Sequence, residues 1–170
     1  MTFNSNNYLL EMINDLFVNN IDFIIAGGVA LVLHGIERMT LDLDISVSMT
    51  ESNLNKLIIT LKNMGLTPRV PVPAESLLDP VKRRSFVTDK NAMVFTFIDT
   101  NNPFRQIDIF LTDDLSYNAL IDDTDILTIN NNEIYVLTKN KLLELKERID
   151  PKRDKDIFDI NQLKKLMTEY

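Results

Sequence analysis

The chain has no cysteine, no tryptophan, one histidine and four glycines in 170 residues. Without cysteine it forms no disulfide and carries out no thiol catalysis, which agrees with a reducing cytoplasm, the expected location. Its longest apolar stretch, Phe23 to Leu33, holds a Gly-Gly pair and falls far short of the roughly 20 residues that span a bilayer, so it reads as a core element and no membrane partner is expected. No signal peptide is read in the sequence. Basic residues are also scarce: 18 Lys and Arg against 25 Asp and Glu give a formal charge of −7. That balance argues against a broad duplex-DNA-binding face, which needs clustered cations. There are no internal repeats, low-complexity blocks or long linkers. With 45% hydrophobic residues the chain is long enough for one domain with a sizeable core, over residues 1–170, in which 138–170 forms a C-terminal helical portion.

What is present centres on Phe23 to Val47. Leu41, Leu43, Ile45 and Val47 alternate with Asp42, Asp44, Ser46 and Ser48, the period of a strand, so Asp42 and Asp44 share a face. Two carboxylates about 7 Å apart along a strand suit hard divalent cations such as magnesium, although a strand with one wet face alternates in the same way. Upstream, Phe23 to Ala26 reads as a short buried strand, Gly27-Gly28 as a turn, and Val29 to Leu33 as an apolar helix. The free amides at that helix start, with the positive dipole end, suit the terminal phosphates of a nucleotide.

Two metal ions clamping attacking and leaving oxygens require a third carboxylate. Ala92–Ile98 and Arg105–Leu111 read as a hairpin across Asp99-Thr100-Asn101-Asn102-Pro103. In its second arm Asp108 lies opposite the Ile107, Ile109 and Leu111 face. If that arm neighbours the Asp42/Asp44 strand, three carboxylates converge; otherwise Asp108 faces solvent.

Gly27-Gly28, Asp42-x-Asp44 and Asp108 together resemble the DNA polymerase beta-like nucleotidyltransferase superfamily. The fuller string Gly-Gly-x-Ala-x-x-x-His-Gly-x-x-Arg-x-Thr-x-Asp-x-Asp, Gly27 to Asp44, is similar to its small bacterial branch, which includes abortive-infection and toxin–antitoxin types. Leu142-x-x-Leu145-Lys146 and Arg153-x-Lys155-Asp156-x-x-Asp159-Ile160 resemble the ending of those chains. The resemblance implies an α+β nucleotidyltransferase fold, a mixed sheet flanked by helices. It implies Asp42, Asp44 and Asp108 as catalytic metal ligands for Mg2+ or Mn2+, two ions in all, with a nucleoside triphosphate (NTP) as substrate. Gly27, Gly28, Arg38, Thr40, Lys146, Arg153 and Lys155 would line the nucleotide. The acceptor hydroxyl would belong to RNA such as tRNA, to a protein or to a small molecule. The alternative is a non-catalytic nucleotide-binding or partner-binding module, one half of a toxin–antitoxin pair. Where the superfamily usually carries a serine, this chain has Gly28, so contact there falls to backbone amides. A metal-dependent glycosyltransferase also uses Asp-x-Asp but fits the nearby Gly-Gly turn and third acidic strand poorly.

Other residues have plainer readings. His34, just before Gly35, reads as a helix C-cap or packing residue. Arg38 could reach a phosphate or pair with Asp42. Lys82-Arg83-Arg84 reads as a solvated loop or a contact to a nucleic-acid acceptor. Helices are expected at Asn6–Phe17, Glu51–Met64 with Gly65 as the stop, Lys139–Ile149 behind a Thr138 cap, and from Asp150-Pro151 onward. Thr67 to Pro80 reads as a proline-containing connection. A strand is expected at Glu133–Leu137 after an Asn-rich turn. Glu144/Arg148, Lys152/Asp156 and Lys155/Asp159 are spaced as surface ion pairs worth tenths of a kcal/mol each.

Overall fold

A computed structural model describes residues 8–169. Seven strands form one mixed sheet in the order β3-β4-β5-β2-β1-β7-β6: β1 (Phe23–Ile25), β2 (Asp42–Val47), β3 (Thr67–Pro68), β4 (Val94–Ile98), β5 (Gln106–Phe110), β6 (Thr124–Ile129) and β7 (Asn132–Leu137). The helices are α1 (Tyr8–Val18), α2 (Gly27–Leu33), α3 (Glu51–Asn63), α4 (Pro80–Lys90), α5 (Tyr117–Leu120), α6 (Lys139–Glu147) and α7 (Asp154–Thr168). The expected α+β architecture is what forms. Asn6 and Asn7, the expected start of α1, lie outside the described residues.

Strand alternation sorts the sheet into two faces. Leu43 and Ile45 of β2, Ile107 and Ile109 of β5, and Phe97 of β4 are fully buried in the core. Leu54, Leu57 and Leu61 of α3 and Met12, Ile13 and Leu16 of α1 join them from helix faces with 3.6-residue spacing. The opposite face of β2 and β5 carries the carboxylates. The hairpin of β4 and β5 forms as expected, and β5 pairs in parallel with β2, setting Asp44 directly opposite Asp108. That register makes the three acidic residues neighbours. Among the described residues no helix is long and apolar enough to cross a membrane.

Local signals fix most boundaries. Thr50 caps α3 by accepting from Asn53 N, and Gly65 (φ +76°) follows the Met64 C-cap. His34 caps α2, and its Nε2 lies 2.7 Å from Leu137 O, the packing role expected of it. Other expectations need correction. Lys82-Arg83-Arg84 is no loop but part of α4, which starts with Pro80 at its first position and Asp79 accepting from Val81 N and Lys82 N. Strand β6 was not anticipated; it pairs with β7 through Asn130 and Asn131, both left-handed (φ 49° and 66°) as a tight hairpin requires. The last helix begins at Asp154 rather than Asp150-Pro151, because Asp156 accepts from Arg153 N in a reciprocal cap and thereby sets the start.

Candidate active site

The end of β1 and the start of β2 are held together where Ala26 N donates to Asp44 O (2.9 Å). Gly27 follows with φ +57°, a conformation that favours glycine, and opens α2 directly, so the glycine turn is the first turn of the helix. A Cβ on Gly27 would collide with Asp44 Oδ2 and lie 2.8 Å from Asp44 Cγ. The bare backbone is therefore what lets a carboxylate sit against the turn. Gly27→Ala is expected to cost about 2 kcal/mol or more, combining left-handed strain with displacement of Asp44, and to lower the melting temperature accordingly.

Asp42, Asp44 and Asp108 each offer a carboxylate oxygen within 4.8 Å of the others. That spacing fits a shared hard cation, because carboxylate oxygens are the ligand type magnesium takes. Asp108 is buried, and its Oδ1 accepts from Thr96 Oγ1 at 2.6 Å, while Gln106 Nε2 donates to Oδ2 at 3.1 Å. These donors come from the same face of β4 and β5 and fix the carboxylate's orientation. Asp44 titrates far above its ordinary range, pushed up to about 7 first by burial and then by the charges of Asp42 and Asp108, with Lys146 and Lys155 opposing the shift.

A second, buried charge cluster stands beside the first. Asp156 and Asp159 of α7 are fully buried. Lys146 of α6 bridges them at 3.0 Å and 2.9 Å, Arg38 Nη1 reaches Asp159 Oδ2 at 2.7 Å, and Arg153 Nε reaches Asp156 Oδ2 at 2.7 Å. Hydrogen bonds from Arg153, then from Lys146, hold the Asp156 carboxyl well below the usual range against the effect of burial. Two sequence expectations change here. Arg38 pairs with Asp159, not Asp42, because α7 delivers a buried carboxylate to it. Asp156 and Asp159 are not surface partners of Lys152 and Lys155: Lys152 Nζ donates instead to Glu147 O and Ile149 O, and Lys155 acts on Asp44 through its charge. The Glu144–Arg148 pair does form.

Gly28 ties the clusters together. A Cβ there would lie 2.5 Å from Thr40 Oγ1 and 3.4 Å from Arg38 Cζ. The Thr40 hydroxyl thus occupies the space that a side chain at residue 28 would enter. Among the expected nucleotide-lining residues, Gly27 lies against Asp44, Lys146 and Lys155 act on Asp44 through their charges, Gly28 lies against Thr40 and Arg38, and Arg153 is bound to Asp156. Sequence reasoning missed Thr96 and Gln106 as supports of Asp108; their alternation with it on adjacent arms of the hairpin was the available signal.

No protein-family model matches this sequence, nor does any curated protein sequence. Solved structures do share its fold. They include the lincosamide antibiotic adenylyltransferase LnuA with lincomycin bound, at TM-score 0.64 and 17% identity over 95% of this chain and 98% of that one. ANT(2'')-Ia in complex with adenylyl-2''-tobramycin matches at TM-score 0.61 and 10% identity, over 97% and 91%. An antigenic nucleotidyltransferase-like protein from Paracoccidioides brasiliensis matches at TM-score 0.56 and 16% identity, over 95% and 78%. The chain has the nucleotidyltransferase fold.

Proposed function

We propose that this chain is a metal-dependent nucleotidyltransferase, moving a nucleoside monophosphate from a nucleoside triphosphate to an acceptor hydroxyl with release of pyrophosphate. The observation that carries the reading is the convergence of Asp42, Asp44 and Asp108 within 4.8 Å beside the Gly27-Gly28 turn. The fold it shares with the lincosamide antibiotic adenylyltransferase LnuA, bound to lincomycin, and with ANT(2'')-Ia, in complex with an adenylylated tobramycin, supports it. Divalent cations held by the three carboxylates would neutralise triphosphate charge and acidify the acceptor hydroxyl. Asp42 and Asp44 face the nucleotide phosphates. Asp108, oriented by Thr96 and Gln106, faces the acceptor and takes its proton. Amides of Gly27 and Gly28, the Thr40 hydroxyl and the cations of Arg38, Lys146, Arg153 and Lys155 line the nucleotide, and Arg153 also holds Asp156. Most of the rate gain in phosphoryl transfer comes from such positioning and charge neutralisation.

The narrower placement, among small bacterial enzymes that include abortive-infection and toxin–antitoxin types, belongs to this proposal and rests on the Gly27–Asp44 string and the Lys146 to Asp159 residues. So does a single domain spanning residues 1–170. The test is a melting-temperature screen with magnesium and each of the four ribonucleoside triphosphates. A nucleotide at one hundred times its Kd adds about 2.7 kcal/mol. A shift that needs both magnesium and nucleotide is the expected result. No shift with any nucleotide at millimolar concentration would favour a partner-binding module instead.

A further inference from the structure

Beyond the carboxylates, the same sheet face runs into a cavity of about 440 Å3 between α4 and the segment that follows β5. Phe110, in its wall, lies two residues past Asp108 on β5, hence on the same face and about 7 Å farther along. On β2 the equivalent next residue after Asp44 is Ser46, whose hydroxyl donates to Leu115 O at 2.7 Å. The 112–116 segment is therefore fastened to the carboxylate face one strand repeat beyond the acidic residues. The cavity is of the size that takes small ligands.

Its chemistry is distinct from that of the rest of the chain. In a protein of net charge −7, Arg83 and Arg84 both line it against one carboxylate, Asp113. Arg84 makes no ion pair among the described residues, while Arg83 donates to Leu77 O. Val87, Met49 and Phe110 supply an apolar wall. Thr112 Oγ1, also in the lining, is buried and has no hydrogen-bond partner. Such a group is costly to leave unpaired, and a bound polar ligand would satisfy it.

We propose that this cavity receives the acceptor, and that the acceptor carries an anionic group, phosphate or carboxylate, on an apolar body. This rests on the nucleotidyl-transfer reading. The anion lies against Arg84, the apolar body against Phe110 and Val87, and the hydroxyl points back along β5 to Asp108. The acceptor oxygen forms its bond to the α-phosphorus as the bridge to the β-phosphorus breaks. Pyrophosphate leaves with the bonding pair, and the hydroxyl proton passes to Asp108. A polycationic acceptor would meet the Arg84 guanidinium and is disfavoured.

Amide NMR shifts of the full chain during titration with phenyl phosphate, benzoate and benzylamine test this, alongside the magnesium-nucleotide melting shift. Phenyl phosphate or benzoate should move the amides of Val87, Thr88 and Thr112, and Arg84→Glu, at an exposed position, should weaken that binding about tenfold or more. Benzylamine should leave them in place. Response to phenyl phosphate alone identifies a phosphate ester, and response to benzoate alone a carboxylate. In transfer assays Arg84→Glu should raise the acceptor KM far more than it lowers kcat. Equal binding by Arg84→Glu, stronger binding of benzylamine, or no amide shift at about 10 mM overturns the acceptor pocket while an intact nucleotide shift leaves the transferase reading standing. Phenyl phosphate binding without any nucleotide shift overturns the transferase reading, and the acceptor role falls with it.

Discussion

Above pH 7 and without metal, Asp44→Asn melts higher than the wild-type protein and transfers no nucleotide. The two effects share one cause. Burial against the Gly27 turn penalises the Asp44 carboxylate most, and the charges of Asp42 and Asp108, within 4.8 Å, add to that penalty. Its carboxyl titrates near 7 when folded against about 3.8 in the unfolded chain. Between those values the folded protein holds a proton that the unfolded chain has released, so stability falls as pH rises from about 4 to 7 and then levels off. Asparagine removes that slope. The gain at pH 8 is roughly 2–4 kcal/mol, from about 1.4 kcal/mol per pH unit reduced by solvent reach. For a chain of this size that is roughly 5–15 °C. Magnesium should raise the melting temperature of the wild type and flatten its pH slope, and the variant should lose most of both responses. Transfer should drop on the order of 10³-fold or more, since neutralising the phosphate charge is worth several kcal/mol in the transition state. An asparagine variant that melts lower, keeps the full magnesium shift, or transfers nucleotide at close to the wild-type rate would remove Asp44 from the site. Below pH 4 the sign reverses, because the depressed Asp156 contributes stability that is lost as acid protonates it.

The carboxylate face was legible in the sequence because a strand's period is two. Once Leu43 and Ile45 are assigned to the core, Asp42 and Asp44 have one place to go, and the Asp99–Pro103 turn sets Asp108 on the hairpin arm that meets β2. The adjoining glycine turn was equally readable as punctuation. What the sequence concealed was tertiary pairing. Lys152/Asp156 and Lys155/Asp159 have the spacing of surface pairs, and spacing holds no information about which face of α7 is buried. In the structure that face carries Asp156 and Asp159 inward against Lys146 and Arg38, residues separated from them by up to 121 positions. Helix α4 was hidden for another reason. Its hydrophobic residues are too few to show a periodic stripe, so only the Asp79-Pro80 start marked it. Thr40 illustrates a third limit, since its approach to Gly28 depends on a loop path that no periodicity describes.

Lys146→Met should both destabilise the protein and weaken nucleotide binding, with neither effect reproduced by Lys146→Arg. Lys146 Nζ is the cation shared by two fully buried carboxylates, at 3.0 Å and 2.9 Å. Removing one partner of a buried pair costs about 3–5 kcal/mol because the other charge remains. Arg153 still serves Asp156 and Arg38 still serves Asp159, which puts the expected loss near the lower bound, about 3 kcal/mol, or roughly 6–12 °C. The same side chain also opposes the rise in the Asp44 pKa. Its loss should move the pH-dependent decline in metal-free stability to higher pH, a readout that a purely structural lysine would leave unchanged. For a magnesium-bound nucleotide, losing a charged hydrogen bond of about 1.5–3 kcal/mol corresponds to roughly 10- to 150-fold weaker binding. Calorimetric titration and pH-resolved melting measure the two halves separately. A methionine variant with a lowered melting temperature but unchanged nucleotide affinity and pH profile would make Lys146 a structural counter-ion of α7 alone. Loss of affinity with the pH profile displaced ties the buried cluster of α6 and α7 to the triphosphate, and makes Asp156 and Asp159 the positioning residues that hold a cation at the phosphate end of the site.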